Sequence, residues 1–470
     1  MRETEKALAK LAAALQMAQA QQAQVRDRLD TSRTNLRSLE QKLADWRTRL
    51  GGRLVDDAFF AQGHEVSNLS APWVPDSIHR KREALFIAAI AVHKVFIDCA
   101  AQKLLQNLNV LMDIFSKGAP KDPAKLALLP ELWSTLFLVV PVLSTTFASV
   151  ERMIGELPPE AIGWLLIDEA GQALPQAAVG AIMRARRSII VGDPLQIPPV
   201  VTLPQRLSVE ICNYFNVYVD KWAAPEASAQ TLADAASAYQ ASFPSPQGDR
   251  RVGIPLLVHR RCDQPMFGIS NAIAYDDKMV LATAAGESPI GRVLGVSSWL
   301  SVDGDAETKW CPKKGELAKS LLRRLADAGI TQPDIFLISP FRIVAQEMRR
   351  ILKQDKGLMN ALEVDAHSWA NDRVGTIHTV QGREAEAVVL VLGAPRADQG
   401  GARNWASGTP NVFNVAVSRA KRRLYVIGSH GAWSGVAHAR ALAGDLPVTR
   451  DGISISDSSD AATSFAPPYG

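Results

Sequence analysis

The chain has 470 residues, of which 47% are hydrophobic and 21% are charged. This composition is typical of a folded protein with about two or three domains, and it excludes a wholly disordered, collagen-like or mucin-like chain. The net charge of only +4, from 52 basic and 48 acidic residues, permits a nucleic-acid partner without requiring one.

The four cysteines lie far apart and include no Cys-x-x-Cys pair. This spacing argues against zinc ribbons, iron–sulfur clusters and disulfide scaffolds, and it favours a cytoplasmic location. The first ten residues, MRETEKALAK, lack the apolar core of a secretory signal. The longest apolar stretch, Leu132–Phe147, is interrupted by Pro141 and is shorter than the ~20 residues of a spanning helix, so no membrane partner is predicted.

Residues 1–52 predict one long coiled-coil helix. Apolar side chains recur from Leu8 to Leu50 at spacings that alternate between three and four residues, and Gly51-Gly52 then ends the pattern. At about 1.5 Å per residue the helix would reach ~65 Å, too long for a compact core. An amphipathic helix packed along the body of the protein is the alternative.

The segment after this helix contains few signals of function. Residues 53–80 have the composition of an irregular connector. Residues 81–115 are rich in apolar side chains and predict one or two mostly buried helices. His93 lies within this apolar run and is interpreted as a core residue without a functional role.

From about residue 136, short β-branched runs alternate with helical stretches. This alternation predicts an α/β fold whose parallel strands carry helices on both faces. The Ala/Ser/Pro/Gln-rich stretch 223–248 predicts a boundary between two such units, and residues 446–470 predict a disordered tail. The predicted strands are Val139–Leu143, Trp164–Ile167, Ser188–Val191, Asp334–Ile338, Val374–Ile377, Ala387–Val391 and Leu424–Ile427.

Two of these strands end in polar turns that suit a phosphate site. Asp168 and Glu169 follow the second strand, where one acid could hold Mg²⁺ on a nucleotide and the other could activate water. Gln196, in the turn after the third strand, carries an amide that could contact a terminal phosphate and sense its loss. An exposed acid pair and an ordinary Gly-Asp-Pro turn are the alternatives.

Three later segments offer complementary groups. Arg261, in HRRCDQP, and Arg419, in NVFNVAVSRAK, carry guanidinium groups suited to phosphate oxygens, although either alone is more often a surface charge or an ion-pair partner. The segment Val374–Glu386 joins two strands through a loop of hydroxyl, amide and acidic side chains.

In this order, the five segments resemble superfamily 1 helicases, and within them the 5′-to-3′ branch that includes the nonsense-mediated-decay helicase and the Okazaki-fragment nuclease-helicase. The resemblance covers about residues 80–440. It implies two RecA-like domains of the P-loop NTPase type, residues 53–250 and 251–445, with ATP bound between them. The first of these domains is incomplete, and the N-terminal helix resembles one arm of the stalk of this branch.

The resemblance also implies a role for each matching residue. Asp168 would hold Mg²⁺, Glu169 would act as the catalytic base and Gln196 would sense the phosphate. Arg261 and Arg419 would reach across from the second domain, and Gly382 and Glu384 would contact the γ-phosphate region and the ribose. The implied contacts to single-stranded DNA or RNA are Thr145, Thr146, Ser339, Pro340, Thr376, His378 and Thr379. For Thr145 and Thr146, local turn capping is the alternative.

The chain departs from this family at one point. Gly-Lys occurs nowhere in the 470 residues, so they contain no phosphate loop of the form GxxxxGK[ST]. We therefore expect a C-terminal portion of a larger helicase, which depends on an upstream fragment for this loop and hydrolyses little ATP alone. A catalytically inactive remnant that binds nucleic acid or protein is the second hypothesis, and a coiled-coil assembly protein is the third. The sequence encoded directly upstream distinguishes the first two.

Overall fold

The computed structural model describes residues 2–243, 250–306 and 308–450. The chain divides into two compact units, Met1–Val92 and His93–Gly470. The first unit is helical, whereas the second combines helices with parallel strands. The predicted mixed α/β class and the long N-terminal helix are therefore confirmed. Residues 451–470 of the predicted tail lie outside the described residues.

The N-terminal helix is continuous over 49 residues, and α1 spans Arg2–Leu50. Gly51 follows it with a left-handed φ of +55°. The apolar heptad positions are open to solvent, because Leu8 is 70% and Leu39 is 61% exposed. Pairing of this stripe in a coiled coil remains a prediction. Three further helices follow it along the chain: α2 (Asp57–Phe60), α3 (His64–Leu69) and α4 (Asp76–Lys117).

The prediction of mostly buried helices over residues 81–115 is wrong. One 42-residue helix, α4, covers the segment, and Leu111 is its one fully buried residue within the described structure. His93 is exposed rather than part of a core. Apolar side chains occur all round α4, so no single packing face can cover them. By length and composition alone, α4 is the one described helix that could cross a membrane, with a mean hydropathy of 1.9 over its most apolar window.

A small helical core follows in the second unit. Leu129, Trp133 and Leu136 are buried together with Leu111. Their spacing is that of a helix, and the helix ends before Pro141, which disfavours a helical conformation in the residue before it. The predicted strand Val139–Leu143 is therefore wrong. The helices of this region are α5 (Pro123–Leu126), α6 (Leu129–Val139) and α7 (Phe147–Ile154).

The next strands form a small parallel sheet. Strand β1 (Leu165–Ile167) pairs in parallel with β2 (Ser188–Ile190), and both predicted strands are confirmed. One face packs on helices, but the other is open, since Leu166 is 69% and Ile189 is 44% exposed. The helices after these strands are α8 (Pro175–Met183), α9 (Gln205–Tyr214), α10 (Val219–Trp222) and α11 (Ala229–Ala236).

Two small sheets that the sequence did not predict connect this part to the large sheet. Their strands are β3 (Ala241–Phe243) with antiparallel β4 (Arg250–Val252), and β5 (Val258–His259) with parallel β6 (Val280–Leu281). The accompanying helices are α12 (Met266–Ala274) and α13 (Pro289–Leu294).

The large sheet is six-stranded and parallel throughout, in the order β12-β7-β11-β10-β8-β9. Four of its strands confirm predictions, whereas β7 and β12 were not predicted, and β12 lies in the segment predicted as a disordered tail. The strands are β7 (Ser298–Ser301), β8 (Ile335–Ser339), β9 (Val374–Thr376), β10 (Ala385–Val391), β11 (Ala420–Gly428) and β12 (Val448–Arg450).

Helices cover this sheet and bury its central strands almost completely, as in β8, where Ile335 and Phe336 are 0% and 1% exposed. Because all six strands are parallel, segments that precede them share one edge and segments that follow them share the opposite edge. The helices are α14 (Pro312–Asp327), α15 (Arg342–Gln354), α16 (Lys356–Ala361), α17 (Ala366–Arg373), α18 (Gly400–Ser407), α19 (Asn411–Ser418), α20 (His430–Trp433) and α21 (Ala439–Asp445).

Candidate active site

The turns after β1 and β2 meet at one edge of the small parallel sheet. The amide of Ala170 donates a hydrogen bond to the carbonyl of Val191 at 2.9 Å. A Cβ at Gly171 would lie 2.7 Å from the carbonyl oxygen of Asp193, and a Cβ at Gly192 would lie 2.5 Å from the amide nitrogen of Gly171. Glycine at both positions therefore lets the acidic turn contact the Gly-Asp-Pro turn through backbone alone.

Glu169 is held in an uncommon backbone conformation. Its φ of +53° is left-handed, which costs a non-glycine residue ~1–3 kcal/mol, and strained residues of this kind cluster at functional sites. Asp168 Oδ1 accepts a hydrogen bond from the Glu169 amide at 2.9 Å, and Gln172 Nε2 donates to Glu169 Oε2 at 2.9 Å. The other carboxylate oxygen, Oε1, lies 3.9 Å from where a Cβ would stand at Gly382. The acidic turn thus faces the loop between β9 and β10.

Arg419 is the buried cation of a cluster of charged side chains that also includes Glu169, Arg261 and Glu384. It is 1% exposed, and its Nη1 donates to the carbonyl of Arg383 at 3.2 Å. Burial is the main cause that lowers the pKa of its guanidinium to about 10, and the charge of Arg261 adds to that effect. The carboxylates of Glu169 and Glu384 oppose it. The side chain therefore remains charged at neutral pH, with two acids and a second arginine within electrostatic reach.

Arg261 and Glu384 form a looser, more exposed group beside it. Arg261 Nε lies 3.5 Å from Glu384 Oε2, and Lys421 Nζ lies 3.0 Å from Glu384 Oε1. The side chains of Arg261 and Glu384 are 41% and 43% exposed, and ion pairs of this kind contribute little to stability, commonly ~0–1 kcal/mol. Arg261 can therefore exchange its carboxylate for an incoming anion at little cost.

Three polar atoms of this region are buried without a hydrogen-bond partner: Gln196 Oε1, Gln381 Nε2 and Arg419 Nε. Buried polar atoms in native proteins are nearly always paired, so each unpaired atom needs an explanation. Two of the three are donors, and the oxygens of a phosphate or a ribose would satisfy them. The side chains present therefore fit an anionic nucleotide.

A buried network joins the Gly-Asp-Pro turn to the end of α12 and to α19. The Tyr275 hydroxyl donates to Asp193 Oδ2, and Asn414 Nδ2 donates to the Tyr275 hydroxyl at 2.9 Å and to the Leu195 carbonyl at 3.1 Å. Burial raises the pKa of the Tyr275 phenol, which therefore remains protonated and able to donate. Asp193 Oδ2 also accepts from Gln196 Nε2 at 3.2 Å, so the same carboxylate orients the glutamine.

Three residues of this arrangement were missed by the sequence analysis. Gln381 and Asn414 lie within two of the segments that resemble superfamily 1 helicases, but the sequence analysis assigned neither of them a role. A neutral polar residue in an apolar helical run, such as Asn414 between Phe413 and Val415, was an available signal, since burial of such a residue requires partners. Nothing in the sequence marks Tyr275, because its partner Asp193 is 82 residues away.

The predicted nucleic-acid contacts lie in two places. Thr145 and Thr146 are exposed in a segment without regular structure, rather than after a strand as predicted. Thr146 is the N-cap residue of α7, but its side chain makes no capping hydrogen bond, so that alternative does not describe its hydroxyl. Both hydroxyls therefore remain candidates for a phosphate contact.

The remaining predicted contacts lie at or after the last residues of β8 and β9, at the edge of the large sheet opposite Arg419. His378 and Thr379 are exposed, and Thr379 Oγ1 donates to the Thr376 carbonyl at 2.8 Å. Ser339 and Pro340 are buried, and Ser339 Oγ is occupied as the acceptor of a local backbone hydrogen bond at 3.2 Å. Direct side-chain contact is therefore easier for the β9 group than for Ser339.

No group of three or more His, Cys, Asp or Glu side chains that could hold a metal ion occurs in the described parts of the chain. A nucleotide-bound Mg²⁺ does not need such a group, since one or two carboxylates and the phosphates commonly hold it. Asp168 is exposed at the end of β1 and suits that role.

Parts of the chain match known protein families. Two family models, each described as an AAA domain, match residues 139–203 and 293–431. The first match contains the acidic and Gly-Asp-Pro turns, and the second contains Gly382 and Arg419. The DNA-binding protein SMUBP-2 of Rattus norvegicus is 24% identical over 295 residues, which are 61% of this chain and 27% of that protein. These similarities support a superfamily 1 helicase.

Other relatives are helicase/nucleases, and they support the branch of superfamily 1 that includes the nonsense-mediated-decay helicase and the Okazaki-fragment nuclease-helicase. The DNA replication ATP-dependent helicase/nuclease DNA2 of Gallus gallus is 21% identical over 61% of this chain and 25% of that protein. The helicase/nuclease JHS1 of Arabidopsis thaliana is 22% identical over 58% of this chain and 19% of that protein. The chain thus spans about a quarter or less of the length of these relatives. A solved structure of an Arterivirus helicase with DNA matches 58% of this chain and 42% of the length of that helicase, at 16% identity and a low TM-score of 0.27.

Proposed function

We propose that this chain is the part of an ATP-dependent DNA/RNA helicase or translocase that supplies the catalytic base and both phosphate-binding arginines. One observation carries the proposal: Glu169, at the end of β1, lies against Gly382 and within electrostatic reach of Arg419 at the start of β11. Such a cluster joins an acid of one α/β part with cations of the other. Arg419 is 1% exposed, and burying its charge is costly without the opposing carboxylates that Glu169 and Glu384 provide.

The proposed domains are RecA-like and comprise residues 53–250 and 251–445. Parallel strands in each part support this division. The proposed contacts of the first part follow β1 and β2, whereas Gly382, Glu384 and Arg419 directly precede β10 and β11 of the second. The nucleotide supplies a triphosphate with its Mg²⁺, which Asp168 would help to hold. Glu169 would accept the proton of the attacking water, and its fixed left-handed backbone keeps the carboxylate pointed at the cluster.

The cations and amides have complementary roles. Arg419, already buried and charged, would stabilise negative charge that develops during phosphoryl transfer, and Arg261 would join it by releasing Glu384. Gln196 would contact the terminal phosphate through its side-chain amide. Because Asp193 Oδ2 accepts hydrogen bonds from both Gln196 Nε2 and the Tyr275 hydroxyl, loss of that phosphate would change the contact between the two α/β parts.

We further propose that a polypeptide outside these 470 residues supplies the phosphate loop and completes the first α/β part. The chain contains no Gly-Lys pair, and the β1–β2 sheet leaves apolar side chains such as Leu166 and Ile189 in solvent. Further strands beside this pair would cover such a surface. Single-stranded DNA or RNA is the proposed substrate, held by the exposed hydroxyls of Thr145, Thr146 and Thr379.

A catalytically inactive remnant that binds nucleic acid or protein is the second candidate. The missing phosphate loop favours it, because the backbone amides and lysine of that loop provide most of the grip on the β- and γ-phosphates. The intact set of Glu169, Gln196, Arg261 and Arg419 favours the enzyme.

The test measures ATP hydrolysis by the chain alone and by the chain co-expressed with the polypeptide encoded directly upstream, with and without dT20 or U20. We expect little turnover by the chain alone and strand-stimulated turnover by the pair. Glu169→Gln should lower kcat of the pair by ~100-fold or more, as loss of a general base does. Glu151→Gln, which changes an exposed carboxylate on α7, is the matched control and should have no effect.

Strand binding without hydrolysis by the pair would favour the remnant. Robust hydrolysis by the chain alone, abolished by Glu169→Gln, would show that no outside phosphate loop is needed.

A further inference from the structure

A groove of about 670 Å³ opens beside α15 and α18, and its lining includes Lys309, Phe341, Arg342 and Trp405. These residues come from the segments after β7, β8 and β10. They therefore share the edge of the large sheet at which the strands end, whereas Arg419 precedes β11 and lies at the opposite edge. The groove is separate from the candidate nucleotide site.

Three neighbouring aromatic rings, those of Trp433, Phe341 and Trp405, connect the core to this groove. Trp433 is 0% exposed, and its Nε1 donates to the carbonyl of Gly393 at 3.0 Å. The ring of Phe341, which is 3% exposed, lies 6.3 Å from Trp433 and 6.2 Å from Trp405, measured between centroids. Trp405 is 62% exposed and lies at only 32° to the Phe341 ring. A large aromatic surface is thus presented to solvent and supported from beneath by a fixed core.

Positive charge flanks this aromatic surface. Lys309 Nζ lies 5.1 Å from the centroid of the Phe341 ring, and Arg342 is exposed as the first residue of α15. Neither side chain forms an ion pair with an acid in the described structure. An apolar peptide would leave both cations uncompensated, whereas a strand of nucleic acid brings bases for the ring and phosphates for the cations.

We propose that Trp405 stacks on an unpaired base of single-stranded nucleic acid while Lys309 and Arg342 contact the flanking phosphates. This inference rests on the proposed function and names the substrate contact at the strand-binding edge. Stacking on an aromatic ring does not read sequence, since every base offers a flat face, so it suits a protein that must hold each step of a strand alike.

The first test is a fluorescence-anisotropy titration of labelled dT20 and U20 with wild type, Trp405→Ala, Trp405→Phe and Trp73→Ala. Trp73 is the matched control, because it is an exposed tryptophan at 63%, close to the 62% of Trp405. We expect Trp405→Ala to weaken binding by ~5- to 150-fold, the range for loss of one stacked base, and Trp405→Phe to keep most of the affinity. The two oligonucleotides show whether the stacked base belongs to DNA or to RNA.

An abasic 20-mer separates stacking from a structural effect. Wild type should bind the abasic strand more weakly than the normal strand. On the abasic strand, Trp405→Ala and wild type should bind with the same affinity, because no base is present to stack on the ring. Arg342→Ala should lower the slope of log Kd against log salt concentration by ~0.7, which corresponds to one phosphate contact on a single strand.

Equal affinities of Trp405→Ala and Trp73→Ala for both normal strands would overturn the stacking proposal. So would an equal loss by Trp405→Ala on normal and abasic strands. An unchanged salt slope in Arg342→Ala would overturn the phosphate contact. Failure of the wild type to bind any strand would instead refute the proposed function itself.

Discussion

Tyr275→Phe isolates the hydroxyl that connects the Gly-Asp-Pro turn to the rest of the second unit. The substitution preserves the ring and removes one oxygen, which donates to Asp193 Oδ2 and accepts from Asn414 Nδ2 at 2.9 Å. Asp193 keeps its bonds from the Leu195 amide at 2.9 Å and from Gln196 Nε2 at 3.2 Å. Asn414 keeps its bond to the Leu195 carbonyl. The loss is therefore one charge-assisted bond and one neutral bond within a buried network.

Hydrogen bonds to charged groups contribute ~1.5–3 kcal/mol to stability, and neutral hydrogen bonds contribute ~0.5–1.5 kcal/mol. Because the remaining bonds of Asp193 and Asn414 compensate for part of the loss, we expect the free energy of unfolding to fall by about 2 kcal/mol. Because this unit has several cores, the sharper readout is local. Hydrogen exchange followed by mass spectrometry should show faster exchange in the peptide that contains Asp193 and Gln196.

Tyr239→Phe is the control for this experiment, because Tyr239 is 77% exposed and its loss of a hydroxyl should change neither measurement. If Tyr275→Phe exchanges and unfolds like Tyr239→Phe, the hydroxyl does not hold the turn. The proposed link between Gln196 and the contact of the two α/β parts would then be wrong.

Two further substitutions test the packing and the charge of the site. Gly192→Ala places a Cβ 2.5 Å from the Gly171 amide nitrogen, so the two turns must separate, and we expect urea denaturation to show a free energy of unfolding lower by ~1–3 kcal/mol. Gly163→Ala is the control and should be neutral, because open space surrounds that position. Equal stabilities of the two variants would contradict the close approach of the turns. Burial, assisted by the charge of Arg261, lowers the pKa of His259 from 6.5 to about 4. The stability that the neutral ring contributes is therefore complete above pH 6.5 and is lost as the pH falls towards 4. Over this window, the free energy of unfolding of wild type should fall more steeply than that of His259→Asn. Parallel pH profiles of the two proteins would refute this assignment.

The sequence predicted the parts of the fold that local patterns control. The apolar run before Asp168 predicted β1, and the β-branched run before Gly192 predicted β2. Because adjacent parallel strands end at a common edge, the acidic turn and the Gly-Asp-Pro turn could be expected to lie together. The turns do lie together, but their contact depends on glycine at positions 171 and 192, which only the backbone geometry reveals.

The errors have a common physical cause, which is that burial depends on the partner of an element rather than on its own composition. The apolar run of α4 predicted a core helix, yet the helix is mostly exposed. Apolar content around residue 139 suited a strand or a helix equally, and burial of Trp133 and Leu136 on one helical face decided between them. Strand β12 was missed because Val448–Arg450 is too short to show a pattern and depends on β7 for its pairing.

The most direct test of the central claim is strand-stimulated ATP hydrolysis by the chain together with the polypeptide encoded upstream, compared among wild type, Glu169→Gln, Arg419→Ala and the double variant. If Glu169 and Arg419 serve one triphosphate, each single variant should lower kcat by ~100-fold or more, and the double variant should be far less impaired than the product of the two losses, as for groups that act as a unit. Losses that multiply in the double variant, or single variants that hydrolyse ATP like wild type, would contradict a shared site.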